Sequence, residues 1–201
     1  MKNIKLLVMT AVASILMSAC GTTSTVPITN RTHKLLVTDQ QVLSLSTQQY
    51  TDFMKTAKVS TNATNNAMVK RVGTKLSTAV ETFLKNNGMA SELQNYAWEF
   101  NLVQNTEPNA FCMPGGKIVV YEGLLPITQN EASLAIVLGH EIAHAVAKHS
   151  AEQLSKQMRQ QYGTQILGTV LNSAVGSNVG DIASSIAQTG FSFANLKYSR
   201  D

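Results

Sequence analysis

Charge is scarce in this sequence. Only 14% of its 201 residues are Asp, Glu, Lys or Arg, and no block of like charge is present. That excludes the basic arms and acidic tails through which chains meet nucleic acid or solvate a disordered region. Aromatics are also few, at 6% with a single Trp, so a core here must be built from aliphatic side chains. With only two cysteines and four prolines, neither a disulfide scaffold nor a proline-rich linker is available. The longest uncharged apolar run, Leu6 to Ala19, is 14 residues long. A helix crossing the hydrocarbon core needs about 20, whereas an export signal needs about 7 to 15. What remains has the length and the 44% hydrophobic content of one globular domain with one core.

Lys2 and Lys5 precede that run, and setting them aside leaves 14 basic against 12 acidic side chains, a net of +2. The run ends in Leu16-Met17-Ser18-Ala19-Cys20-Gly21, which resembles a bacterial lipobox. The resemblance implies a signal peptide over residues 1–19, lipid on Cys20, and a Gram-negative lipoprotein. Gly21 stands where an aspartate would retain the protein at the inner membrane, so the outer membrane, facing the periplasm, is expected. Lipidation of Cys20 leaves Cys112 without a disulfide partner. Cys112 lacks surrounding Cys-His grammar and reads as a small buried thiol.

Residues 20–33, rich in Thr and Ser without period, read as a flexible tether, and residues 34–201 as the domain. Thr38 and Gln41 form a capping-box pattern opening a helix that runs towards Lys58. A second helix carries Met68, Val72, Leu76, Val80 and Phe83 at three- and four-residue spacing and stops at Asn86-Asn87-Gly88. Together they are expected to make a helical hairpin. Alternation over Tyr96 to Leu102 predicts a half-buried strand, and Lys117 to Tyr121 a second one after the turn residues Pro114-Gly115-Gly116. Thr128 and Glu131 read as a capping box for a helix over Ala132 to Lys148. Residues 150 to 190 read as further helix that packs on the core, with a lid over the site as the alternative. The class is therefore α+β, mostly helical, with a small sheet.

The third helix carries His140-Glu141-Ile142-Ala143-His144, the pattern HExxH. Four residues advance a helix by about 400°, so both imidazoles point one way, one turn apart, and share one zinc ion. Glu141 lies about 100° round from His140, where a carboxylate takes a proton from a water that zinc polarises. His149, five residues past His144, falls about 140° round the helix and reads as a solvated end cation or a partner to a ligand. His33 carries no motif.

Three blocks of this sequence resemble the HtpX-like and CAAX-prenyl-protease-like zinc metallopeptidases, metallopeptidase family forty-eight, in their bacterial lipoprotein branch. They are Asn109-Ala110-Phe111 through Pro114-Gly115-Gly116-Lys117-Ile118 to Gly123-Leu124-Leu125, then Gly139 to His144 with His149, then Tyr198-Ser199-Arg200-Asp201. The resemblance implies a zincin-like fold of the gluzincin type. In it His140 and His144 hold one zinc, Glu141 is catalytic, and an edge strand binds extended peptide. The matching strand here is Gly116, Lys117, Ile118, Val119 and Val120. Backbone pairing to an edge binds peptide with little regard to sequence, which suits proteolysis of unfolded or damaged envelope proteins.

The family's third ligand is a glutamate a few residues beyond the Tyr-Ser-Arg segment, past Asp201. Of the acids after His144, Glu152 lies about 12 Å along a continuous helix. Asp181 reads as an N-cap, and Asp201 is terminal. Either the sequence is part of a longer protein or the site has two histidines. The second case leads to another expected function, a catalytically silent lipoprotein that binds or chaperones envelope proteins through the same groove.

Overall fold

Two strands rich in β-branched threonine open the structure, a computed structural model that describes residues 22–25, 32–160 and 191–195. β1 (Thr22–Thr25) pairs antiparallel with β2 (Thr32–Leu35), Thr22 opposite Leu35. The tether expected over residues 20–33 is thus partly a β-ribbon, because four threonines favour extended backbone more than they favour a coil. His33 lies within β2. The expected signal peptide, Cys20, Asp181, most of the expected lid region and the Tyr198 to Asp201 block lie outside the described residues.

α1 (Asp39–Thr56) starts at the capping box its sequence announces, Thr38 Oγ1 accepting from the Gln41 amide and Gln41 Oε1 from the Thr38 amide. α2 (Ala63–Asn86) is capped by Asn62 and ends before Gly88, which takes φ +73. These helices do not form the expected hairpin. They lie on opposite faces of a three-stranded sheet built from β3 (Glu99–Val103), β4 (Ala110–Met113) and β5 (Lys117–Tyr121). The strand order is β3-β5-β4, with β3 parallel and β4 antiparallel to β5.

The period of two along the strands divides the core. Phe111, Met113 and Val119 face α1 with Val42 and Leu45, while Leu102, Cys112, Ile118 and Val120 face α2 with Val69 and Val72. At Gly73 the absence of a side chain lets α2 approach β3. A Cβ there would stand 2.2 Å from Cδ1 of Phe100.

After one turn of helix, α3 (Leu125–Thr128), comes α4 (Glu131–Val146), the helix that carries HExxH. Its N-cap is Asn130, whose side chain accepts from the Ser133 amide at 2.9 Å; Thr128 instead closes α3 through Leu125 O. Leu134, Leu138 and Ile142 are almost fully buried on the α2 side of the sheet, each contributing about 1.5–3 kcal/mol. α4 ends sooner than expected, at a turn over 147–148, and α5 (149–160) begins. Ala151, Leu154 and Met158 of α5 pack with α1, so the chain changes sides of the sheet at this turn. Leu36 N–H donates to Ser155 Oγ, and Gln49 holds the backbone of Phe191 and Phe193, which closes the α1 side.

Candidate metal centre

His140 and His144 are brought together as the helical spacing requires, Nε2 to Nε2 at 3.0 Å. Two imidazoles sharing one tetrahedral zinc at about 2.0–2.1 Å have their nitrogens about 3.3 Å apart, so this donor pair fits such an ion. Their rings meet edge to face, with centroids 4.4 Å apart. His140 is exposed and His144 half-buried, so the site opens outward from α4.

Burial pushes the His144 imidazole down to about 4, with the positive charges of His140 and His149 adding to the effect. His144 is therefore neutral at physiological pH, the state in which imidazole binds a metal. Glu141, next to His140 on α4, is half-buried, and burial pushes its carboxyl up to about 7. A carboxylate poised near neutrality is matched to exchanging a proton with water. Beneath it lies Cys112, 4% exposed. Burial, and then the charge of Glu141, push its thiol up, as an inert core cysteine requires.

His149 stands beside His144, though not by the route that helical pitch alone gives. Its expected position, 140° away, assumed an unbroken helix, whereas the turn at 147–148 swings it back until its Nδ1 lies 2.6 Å from Nδ1 of His144. His144 thus stands between two imidazoles, one at each nitrogen. The same break removes the premise of the distance estimated for Glu152. Among the described residues no third His, Cys, Asp or Glu joins the pair as a metal-binding group.

Lys148, which carries no motif in the sequence, occupies the turn with φ +57. Its side chain is 11% exposed, and its ammonium lies 2.7 Å from Asp39 Oδ2 and 3.3 Å from Glu92 Oε2. Burial alone would lower its pKa, but the hydrogen bond and charge of Asp39, followed by Glu92, raise it on balance. No local signal marks this residue, because its partners lie 109 and 56 residues away.

The expected substrate strand needs correction. Lys117, Ile118, Val119 and Val120 belong to β5, the middle of the sheet, whose backbone is paired on both sides. Gly116 is a turn residue with φ +80. A Cβ there would meet the Trp98 ring at 2.6 Å, and its carbonyl accepts from Glu99 N–H. The free edge beside α4 belongs to β4. Tyr121 N–H donates to Asn109 O, which sets the register so that the backbone groups of Ala110 and Cys112 turn outward. Among the described residues no strand pairs with that edge.

Comparison with known proteins agrees with this geometry. The chain is 45% identical over 64 residues to mitochondrial metalloendopeptidase OMA1 of Schizosaccharomyces pombe, covering 32% of this chain and 19% of that protein. It is 30% identical over 117 residues to the Danio rerio OMA1, covering 58% and 24%. It is 46% identical over 46 residues to the beta-barrel assembly-enhancing protease of Yersinia pestis, covering 23% and 10%. The matched segments thus span a quarter or less of these relatives. Peptidase family M48 matches residues 63–201, from the start of α2 through the HExxH helix and beyond, and the chain belongs to that family.

Proposed function

We propose that this chain is a zinc-dependent endopeptidase of the cell envelope that hydrolyses peptide bonds of unfolded or damaged proteins. The observation that carries the reading is the paired Nε2 atoms of His140 and His144 with the half-buried carboxyl of Glu141 beside them. When bound, zinc supplies a Lewis acid that polarises water and the scissile carbonyl. Glu141 takes the proton from the attacking water and returns it to the leaving amine. Among the described residues no strand pairs with the outer edge of β4, and Ala110, its half-exposed residue, is where that edge could take an extended peptide, which supports a substrate recognised as unfolded chain more than as sequence.

Attachment to the outer membrane through lipid on Cys20, with the domain facing the periplasm, is supported by the lipobox-like residues Leu16 to Gly21. Among the described residues no helix is long and apolar enough to cross a membrane. The deciding experiment compares the protein with its Glu141→Gln variant, scoring zinc content and cleavage of an unfolded polypeptide. The variant keeps zinc and loses cleavage; equal cleavage by both proteins overturns the assignment.

A further inference from the structure

The end of α4 is fixed by charges far away in sequence. Residues 145–152 contain neither glycine nor proline, yet the helix breaks and Lys148 adopts a left-handed backbone that side chains disfavour. What compensates is the ion-paired ammonium, held by Asp39 at the first position of α1 and by Glu92 in the 3-10 helix Ala90–Asn95. Glu92 is itself oriented by Asn95, whose Nδ2 donates to it at 3.1 Å. The residue immediately after this anchored turn is His149, in contact with Nδ1 of His144.

We propose that Lys148 is a positioning residue for the metal centre. Its ion pairs with Asp39 and Glu92 fix the break after α4 that seats His149 against His144, and so set that ligand's ring orientation and tautomer. The inference rests on the reading of His140 and His144 as metal ligands. A histidine that binds metal through Nε2 carries its hydrogen on Nδ1, and the nitrogen facing that hydrogen is Nδ1 of His149, the acceptor. Outer partners of this kind fix the tautomer and orientation of a ligand. Asp39 lies before the span shared with family M48, so a segment of this chain outside the shared domain holds the turn that precedes His149.

The test uses the purified protein and its Lys148→Met, Asp39→Asn, His149→Leu and His149→Asn variants. Zinc affinity is read by chelator competition, the His144 tautomer by long-range proton–nitrogen NMR of the metal-free protein, and folding by thermal melts. Lys148→Met and His149→Leu are expected to weaken zinc binding about 10- to 100-fold, and to blur the single tautomer of His144. His149→Asn, whose side-chain carbonyl can accept from Nδ1–H, recovers most of the loss. A folded Lys148→Met variant with the parent's zinc affinity and ring signals overturns the inference. Should that variant fail to fold, Asp39→Asn, at a partner 41% exposed, gives the same two readouts, and parental values of both in that variant overturn the inference equally. A parent protein that holds no zinc, while Lys148→Met still shifts the His144 signals, overturns the metal reading and supports the positioning.

Discussion

Nε2 of His140 stands 3.0 Å from Nε2 of His144, yet the two rings differ in their surroundings, His140 exposed and His144 half-buried against His149. Removing the exposed ring should separate metal binding from folding. His140→Ala is expected to lose zinc while the metal-free fold changes by no more than about 0.5 kcal/mol, the usual effect of a surface substitution. Elemental analysis with a thermal melt in chelator reads both quantities. Full zinc retention by this variant counts against the two-histidine site.

Glu141 supplies a prediction in the metal-free protein with a definite sign. Burial raises its carboxyl to about 7 from an ordinary value of 4.5, so between those pH values the folded state holds a proton the unfolded chain has released. The stability from that proton is complete below pH 4.5 and is lost as pH rises through 7. Glu141→Gln lacks this titration, and other groups cancel in the comparison. Urea midpoints measured in chelator from pH 5 to 8 should show the parent falling relative to the variant up to about 7, then running level with it. A gap that stays constant across that range contradicts the buried carboxyl.

Much of this arrangement was legible because its signals are local. The Thr38–Gln41 capping box, the Asn86-Asn87-Gly88 stop and the Pro114-Gly115-Gly116 turn each act within a few residues, and each stands where the sequence places it. The HExxH geometry is equally local, a consequence of helical pitch. What escaped the sequence depends on partners far along the chain. β4 escaped because Ala110-Phe111-Cys112-Met113 has no alternation and faces core on both sides. The edge expected at β5 came from the family resemblance, and β4 is the strand that covers it. The turn at Lys148 escaped because Asp39 and Glu92, not a breaker residue, hold it.

Gly73 tests the packing of α2 on the sheet. In an open helix, replacing glycine by alanine stabilises by about 1 kcal/mol. Here a Cβ would meet Phe100 Cδ1 at 2.2 Å and Cε1 at 2.4 Å, and overpacking of this kind costs about 1–3 kcal/mol. The clash is expected to win, so Gly73→Ala lowers the melting temperature. Adding Phe100→Leu should restore part of the loss, a coupling that a double-mutant cycle detects. A single variant more stable than the parent would mean that Phe100 yields freely.

Cys112 is a test of whether the layer beneath Glu141 is closed. Its thiol sits 4% exposed on the face of β4 that packs under α4, and two effects keep it protonated, burial first and the Glu141 charge second. Reaction with a thiol reagent needs both access and thiolate, so labelling should proceed only when the fold opens. In a Cys20→Ser background, labelling at pH 8 is expected to be orders of magnitude slower in buffer than in denaturant. Glu141→Gln removes the smaller effect and leaves the burial, so its labelling rate should stay close to the parent's. Rapid labelling of the folded parent would place the thiol in an open cleft and revive its reading as a reactive group. A marked acceleration in Glu141→Gln alone would show that the carboxylate's charge, rather than burial, keeps the thiol inert.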